Sequence, residues 1–228
     1  MTRGWLIVFA KAPRPGLVKT RMAPPLNLGQ AARLYEAMLA DVLDASARFA
    51  AALDLEAVLA FHPPDAVAEM IGRTPPGFRL QVQRGVGLAE RMANAFAEAA
   101  AAGAPFAILR GSDSPGLEKA HIEAATLHLD GSADVVLTPD GSGGYAVVGQ
   151  RAPDPRIFDV PMSTDDMVDQ TVARCEALGL RIHQTKPTFD LDEAGDLTAL
   201  DAWPQERSSD LCPRTVEAIA DLRKSGVL

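Results

Sequence analysis

The feature that most restricts the fold is a short apolar run near the N-terminus, followed by a basic loop. Residues Trp5 to Ala10 are apolar without interruption. The run is too short to cross a membrane and shows no polar alternation, so it predicts a central strand of a parallel sheet, buried on both faces. Pro13, Pro15 and Gly16 then turn the chain out of the sheet. This beginning is typical of an α/β protein.

The loop after the apolar run carries four positive side chains, Lys11, Arg14, Lys19 and Arg21. The loop is locally positive, whereas the chain as a whole has a formal net charge of −8. Open α/β sheets bind their ligands at the carboxyl ends of the strands. The loop therefore predicts a site for phosphate. The alternative is a solvated loop whose cations only keep the protein soluble.

Length and composition favour one large domain and exclude several classes of partner. With 228 residues, 47% of them hydrophobic, the chain is long enough for a single sizeable core. No apolar run approaches the roughly 18 residues of a membrane span, and no secretory signal is visible, so we expect a cytoplasmic protein that binds no membrane. The pI near 5.0 argues against nucleic acid as a partner. The two cysteines, Cys175 and Cys212, indicate neither a disulfide framework nor a zinc site.

Apolar runs and helical stripes alternate along the rest of the chain. We predict further strands at 55–61, 78–82, 106–109, 133–137, 145–148 and 180–184. We predict helices at 28–50, 65–71, 88–102, 117–129, 167–178, 194–200 and about 212–225. The strands at 133–137 and 145–148 are too close for a crossover helix, so the sheet is expected to be mixed there. The predicted fold is a single α/β domain over residues 1–228, a three-layer α/β/α sandwich with a mixed, mostly parallel sheet.

Three aspartates are candidates for binding a metal ion. Asp190 and Asp192 are two positions apart in a segment predicted to be extended, so both carboxylates project from one face. They can share a hard divalent cation, or they can serve as an N-terminal cap cluster with Glu193 and Asp196. Asp113 follows another buried strand. Three carboxylates at one sheet edge would repel each other without a cation, which favours a metal site.

A basic loop together with metal-binding carboxylates suits displacement at phosphorus, or at a sugar carbon that bears a diphosphate. The metal would act as a Lewis acid, and Lys19 and Arg21 would add charge-assisted hydrogen bonds. Several other motifs are absent from the sequence. Gly16 precedes Lys19 by three positions, unlike a Walker loop, and the glycines at 141–144 lead into a strand rather than a helix. No Gly-x-Ser-x-Gly elbow is present.

The order of several short motifs resembles one known family. The motifs are Phe9 to Arg21, Gly111-Ser-Asp-Ser-Pro115, Gly143-Gly-Tyr145, Ser163-Thr164 and Asp190-Leu-Asp192. Together they resemble the small bacterial GT-A-like transferases, the glycosyltransferases associated with radical-SAM and arsenosugar pathways, which are similar to the 2-phospholactate guanylyltransferases. The resemblance covers roughly residues 4–200. It implies a nucleotide-diphospho-sugar transferase fold.

The resemblance also implies roles for individual residues. Contacts with the nucleotide phosphates are assigned to Lys11, Pro13, Gly16, Lys19, Arg21 and Arg91. Catalytic roles are assigned to Lys19, Arg21 and Asp113, and Mg²⁺ or Mn²⁺ ligation to Asp113, Asp190 and Asp192. Gly143, Gly144 and Ser163 are placed near a small-molecule acceptor.

Four residues depart from the family pattern. The family pattern Gly-Asp-Leu-Gly before an arginine loses its acid and a glycine here, where the chain has Gly87 and Ala89. Ser142 replaces an acid before the glycine pair, and Met162 replaces a tryptophan.

The first functional hypothesis is a metal-dependent glycosyltransferase that uses a nucleotide sugar. The second is a nucleotidyltransferase that joins a nucleoside triphosphate to a small phosphorylated acceptor. The third, prompted by these departures, is a nucleotide-binding protein without catalysis.

Overall fold

A seven-stranded mixed sheet organises the computed structural model, which describes residues 3–162, 164–201 and 210–228. Its strands are β1 Trp5–Lys11, β2 Glu56–His62, β3 Arg79–Val82, β4 Ala107–Gly111, β5 Val135–Pro139, β6 Tyr145–Gln150 and β7 Ile182–Gln184. Their order across the sheet is β3-β2-β1-β4-β6-β5-β7. The first predicted strand, β1, is therefore an inner strand, as its apolar sequence indicates.

One strand runs against the others. β6 is antiparallel to both neighbours, β4 and β5, whereas β1 pairs in parallel with β2 and β4. β2 with β3 and β5 with β7 are also parallel pairs. The prediction of a mixed, mostly parallel sheet is confirmed, and the short connection between β5 and β6 is its cause.

Helices cover both faces of the sheet. The described α-helices are α1 Leu28–Ala52, α2 Val67–Ile71, α3 Leu88–Ala101, α4 Lys119–Asp130, α5 Met167–Ala177, α6 Leu197–Asp201 and α7 Pro213–Lys224. They agree with the predicted helices to within a few residues at their ends. α1 begins at a capping box in which Asn27 and Gln30 satisfy each other's backbone N–H groups. None of the described helices combines the length and apolar character needed to cross a lipid bilayer.

The side chains of β1 show how the layers are held together. Trp5 and Ile7 belong to the core that α3 and α5 cover, while Leu6 and Val8 point to the opposite face, where α1 and α4 pack. Successive residues of a strand face opposite sides, so an uninterrupted apolar run supplies both cores. This produces the three predicted layers.

The C-terminal helix α7 packs against α1 and is anchored by a buried carboxylate. The Asp41 side chain, fully buried in α1, accepts hydrogen bonds from the backbone N–H of Thr215 and from its hydroxyl, both at 2.8 Å. The backbone N–H of Arg214 also points to Asp41, at 3.3 Å. These bonds satisfy otherwise unpaired donors in the first turn of α7. The end of the chain is thereby attached to the first helix.

The segment that contains Asp190 and Asp192 is not a strand, contrary to our expectation. β4 is already paired on both sides, with β1 and β6, so no further strand can join it. One sheet-like contact remains, a hydrogen bond of 2.9 Å from the backbone N–H of Leu191 to the carbonyl oxygen of Asp113. The Leu191 side chain is fully buried beneath α1. The segment is thus fixed beside the end of β4 by one buried leucine between two aspartates.

Candidate functional site

A cleft of about 470 Å³ opens at the sheet edge where β1 and β4 end. The two strands are parallel neighbours, so the loops that follow them leave the sheet on the same side. Antiparallel β6 begins at this edge with Tyr145, and β5 ends there before Asp140. This is the edge at which open α/β sheets bind ligands.

Most of the residues selected from the sequence line this cleft. They are Lys11, Lys19, Arg21, Arg91, Asp113, Gly144, Asp190 and Asp192. Pro13, Gly16 and Gly143 lie outside its lining. Ser163 lies outside the described residues, so its expected place near the acceptor stays a prediction.

The four positive side chains of the loop after β1 point in two directions. Gly16 adopts a positive φ of 81°, and Lys19 does so at 48°. Arg14 turns away from the cleft and forms ion pairs with Asp65 at 3.0 Å and Glu69 at 2.9 Å. Arg14 therefore anchors the loop to the region of α2. Lys11, Lys19 and Arg21 remain on the side of the cleft.

Lys19 is held between two of the candidate aspartates. Its side chain is only 3% exposed, and its Nζ forms ion pairs with Asp113 and, at 2.8 Å, with Asp192. Burial alone would lower the pKa of Lys19, but the two carboxylates outweigh it and raise that pKa above its ordinary value. The ammonium group is thus charged, buried and fully engaged, and it does not point freely at a phosphate.

Asp190 is a partly buried carboxyl group next to this cluster. The Ser114 hydroxyl donates a hydrogen bond to its Oδ1. Burial, followed by repulsion from Asp113, raises the pKa of Asp190 to about 8. As long as no metal ion is bound beside it, the Asp190 carboxyl group therefore keeps its proton near neutral pH.

The acidic side of the cleft has the donor chemistry of a hard divalent cation. Asp113 and Asp192 direct Oδ1 atoms at one point, which the Lys19 ammonium occupies. Magnesium is commonly held by one or two carboxylates, with water and substrate phosphates as its other ligands. Across the described residues, no three His, Cys, Asp or Glu side chains are arranged to hold a metal ion together. The residues therefore fit a metal that shares its shell with a bound phosphate, rather than a closed protein cage.

Three further positive side chains line the cleft. Neither Lys11 nor Arg21, both exposed, has an ion-pair partner in the part of the chain that the structure describes. Arg91 lies in the first turn of α3, and its Nε is buried without a hydrogen-bond partner. A buried unpaired donor is costly unless a ligand satisfies it. The three cations can therefore bind an anion that reaches across to the aspartates.

The sequence interpretation missed Asp140, a further carboxylate in the cleft. Its Oδ1 accepts hydrogen bonds from the Ser142 N–H at 2.7 Å, the Ser142 hydroxyl at 2.9 Å and the Gly144 N–H at 3.1 Å. Asp140 lines the cleft and closes the turn between β5 and β6. It comes directly after a buried strand, much as Asp113 comes two residues after β4, and that position could have identified it from the sequence.

Two polar side chains that the sequence did not single out fix the geometry around the cleft. Tyr35 of α1 accepts from the Lys11 backbone N–H at 3.0 Å and pairs with the Ser112 hydroxyl at 2.7 Å. Gln83 donates from Nε2 to the carbonyl oxygens of Ala10 and Ala60. Tyr35 therefore ties the loop after β1 to the loop after β4, and Gln83 is left with its Oε1 as an acceptor. No pattern of spacing marks either residue.

A buried arginine supports the loop that carries Asp113 from behind. Arg110 is fully buried, and it donates to the Ser114 carbonyl at 2.7 Å and to the Ser46 hydroxyl at 3.2 Å. Its burial lowers the pKa of Arg110 to about 10, an effect that Asp190 opposes. Ser114 thus links the positive charge in the core to Asp190 in the cleft.

Several solved structures share this architecture. A candidate nucleotide-diphospho-sugar transferase from Desulfovibrio desulfuricans G20 superposes with a TM-score of 0.84 and 26% identity, over 98% of each chain. A 4-diphosphocytidyl-2C-methyl-D-erythritol synthase superposes with a TM-score of 0.58 and 14% identity, over 88% of this chain and 97% of the other. A CMP:2-keto-3-deoxy-manno-octonic acid synthetase complexed with CTP superposes with a TM-score of 0.56 and 12% identity, over 88% of this chain and 98% of the other. The last two establish the fold alone.

The predicted nucleotide-diphospho-sugar transferase fold is confirmed by these superpositions. No curated protein sequence matches the chain. One family does match, over residues 44–164, which is more than half of the 228 residues. The matched region extends from the second half of α1 past β6 to a point shortly before α5, and it includes Asp113 and the turn with Asp140. The chain belongs to the bacterial family described as "Uncharacterized protein conserved in bacteria (DUF2064)".

Proposed function

We propose that the protein is a metal-dependent transferase that moves the sugar of a nucleotide diphospho-sugar to a small-molecule acceptor. The observation that carries this proposal is the opposition of charges in one cleft. Lys11, Arg21 and Arg91 line the same cleft as the aspartates at the end of β4 and in the segment after β7. A diphosphate with a bound divalent cation has the complementary pattern of charge. The full-length likeness to the Desulfovibrio protein supports the same assignment.

Each side of the cleft would hold a different part of the donor. Lys11, Arg21 and Arg91 would donate charge-assisted hydrogen bonds to phosphate oxygens, the two arginines in a bidentate manner. Gln83 is held in place by the hydrogen bonds of its Nε2 to the carbonyl oxygens of Ala10 and Ala60. Its Oε1 would accept a hydrogen bond from an N–H group of the nucleotide base. The donor would then lie across the end of β1.

The reaction would exchange one bond at the anomeric carbon. The acceptor oxygen forms a bond to that carbon, the bond from the carbon to the diphosphate oxygen breaks, and its electron pair leaves with the diphosphate. Mg²⁺ or Mn²⁺, held by Asp113 and Asp192 together with the diphosphate, would supply a Lewis acid for the charge that develops there. Asp140 lines the cleft near the glycine turn expected to meet the acceptor, so its carboxylate would take the acceptor proton.

A thermal-shift screen tests the proposed substrate class. The ligands are the ADP, CDP, GDP, UDP and dTDP forms of common sugars, each with Mn²⁺ or with EDTA. A ligand that binds only the folded state raises the melting temperature by mass action. We expect at least one nucleotide sugar to raise it, and to do so more strongly with Mn²⁺. If none does, at concentrations up to several millimolar, the proposed donor class is wrong.

A second candidate function is nucleotidyl transfer from a nucleoside triphosphate to a small phosphorylated acceptor. The loop after β1 favours it, because Lys11, Lys19 and Arg21 line the cleft, and release of Lys19 from its two aspartates would give a triphosphate three positive charges. Stronger stabilisation by a triphosphate than by any nucleotide sugar, and release of pyrophosphate, would select this function. Saturable binding without turnover for any acceptor would instead select a nucleotide-binding protein without catalysis.

A further inference from the structure

Lys19 is a charged side chain in an unusual place for a phosphate contact. Its Nζ lies between Asp113 and Asp192, and the side chain is 3% exposed. Its backbone has φ 48° and ψ 37°, the left-handed conformation that a lysine rarely adopts. The loop is thus shaped so that this one ammonium enters the acidic side of the cleft.

The two Oδ1 atoms that Lys19 engages are the same atoms that a divalent cation would use. An ammonium and a metal ion cannot both occupy the space between Asp113 and Asp192, because their charges repel and their ligands are shared. Binding of the metal by these aspartates therefore requires that Lys19 leave. Lys19 and Arg21 both line the cleft, so a displaced Lys19 side chain would stay within reach of a phosphate bound there.

We propose that Lys19 is an internal cation that blocks the metal site until a nucleotide phosphate provides it with a new partner. This inference rests on the proposed function, because it assumes that a metal and a phosphate bind in this cleft. Lys19 then acts as a positioning residue that couples the two ligands. Its consequence is that metal alone binds weakly, and that metal and nucleotide strengthen each other's binding. Such coupling is reciprocal and typically changes affinity by about 5- to 150-fold.

The test measures Mn²⁺ binding to the full chain by the electron paramagnetic resonance signal of the free ion. Wild type, Lys19→Met and Lys19→Gln are titrated without nucleotide and then with saturating GDP or UDP. We expect Lys19→Met to bind Mn²⁺ alone about tenfold more tightly than wild type. The further gain from nucleotide should be smaller in the variant. Lys19→Gln, which keeps a polar group of similar length, should lie between the two.

A matched control separates displacement from a general loss of positive charge. Arg14→Met removes one cation from the same loop, but Arg14 pairs with Asp65 and Glu69 rather than with the cleft aspartates. We expect its Mn²⁺ affinity to stay within about twofold of wild type. An equal gain in Arg14→Met and Lys19→Met would show a general charge effect and overturn the inference.

Two further results have distinct meanings. If wild type binds Mn²⁺ with nucleotide but Lys19→Met gains no affinity for Mn²⁺ alone, Lys19 does not block the site, and the proposed function stands. If no form binds Mn²⁺ with GDP, UDP or any other nucleotide of the screen, the proposed function itself fails. Should Lys19→Met be unfolded in EDTA, we expect Mn²⁺ to restore its cooperative unfolding transition, since the metal replaces the lost charge. A variant that stays unfolded in Mn²⁺ would contradict the inference.

Discussion

Replacing Asp190 with asparagine should make the protein more stable at alkaline pH. The pKa of Asp190 is raised from the ordinary 3.8 to about 8 by burial and by repulsion from Asp113. A pKa raised on folding stabilises the folded state at low pH, and this contribution is lost as the pH rises from about 4 to about 8. Asparagine does not titrate. The difference in the free energy of unfolding between Asp190→Asn and wild type should therefore grow over this range.

The size of the effect follows from the two pKa values of Asp190. At 1.36 kcal/mol per pH unit, the change from 3.8 to about 8 corresponds to at most about 6 kcal/mol. Asp190 is only partly buried, and water in the cleft screens its charge. We therefore expect the difference in the free energy of unfolding between Asp190→Asn and wild type to grow by about 2–3 kcal/mol between pH 5 and pH 9. If Asp190→Asn is more stable but less active, this would also agree with the usual trade-off between stability and activity at functional sites.

The assay is urea unfolding followed by circular dichroism at pH 5 to 9 in EDTA, which removes divalent cations. Asp134→Asn is the control, because a hydrogen bond from Arg181 lowers the pKa of Asp134 to about 2. The Asp134 carboxylate should lose its stabilising effect only below about pH 4. The difference in the free energy of unfolding between Asp134→Asn and wild type should therefore stay constant between pH 5 and pH 9. If the Asp190→Asn difference is equally constant, the raised pKa is refuted. Excess Mg²⁺ should reduce the pH dependence of wild type, since a bound cation favours the charged carboxylate.

Two further substitutions test the glycine turn beside the cleft and the anchor of α7 on α1. Gly143→Ala should cost more than about 3 kcal/mol in urea unfolding, because its Cβ would lie 1.8 Å from the Asp165 carbonyl oxygen at φ 97°. Gly77→Ala, at φ 93° with no atom within 4 Å, should cost only about 1 kcal/mol, and equal costs would contradict the clash. Asp41→Ala should cost about 2–4 kcal/mol, since it leaves the buried donors of Thr215 unpaired. Asp41→Asn keeps one acceptor and should cost less; if it costs the same, the hydrogen bonds do not hold α7.

Local sequence patterns were sufficient to predict the elements of this fold. The uninterrupted run of β1 has side chains in both cores, and the stripes of α1 and α3 face the sheet. These signals depend on neighbouring residues only, so they survive in a single sequence. The mixed sheet was also predictable, because the short connection from β5 to β6 cannot hold a crossover helix.

Pairing between distant residues was not predictable. Lys19 contacts Asp113 and Asp192, which are 94 and 173 positions away. The sequence shows one basic loop and two acidic segments, but no local pattern states that one lysine will bridge the acids. Arg14 was not among the phosphate contacts predicted from the sequence, and its partners Asp65 and Glu69 become apparent only in the structure.

Context also decided the geometry of the aspartates. Asp190 and Asp192 were expected on one strand face, but the sheet offers no free edge beside β4. Their common direction comes instead from the buried Leu191 between them. The role of Asp140 follows from hydrogen bonds to Ser142 and Gly144 within the turn, which the glycines of the sequence do not reveal.

The central claim, transfer of a sugar from a nucleotide diphosphate, is tested most directly by identifying the phosphate product. The nucleotide sugar with the largest thermal shift is incubated with Mn²⁺ and a mixture of hydroxyl acceptors, and phosphorus NMR follows the products. We expect a nucleoside diphosphate to accumulate with wild type and not with Asp113→Asn, whose folding is checked by circular dichroism. Release of pyrophosphate from a triphosphate, with nucleotide sugars left intact, would contradict the claim.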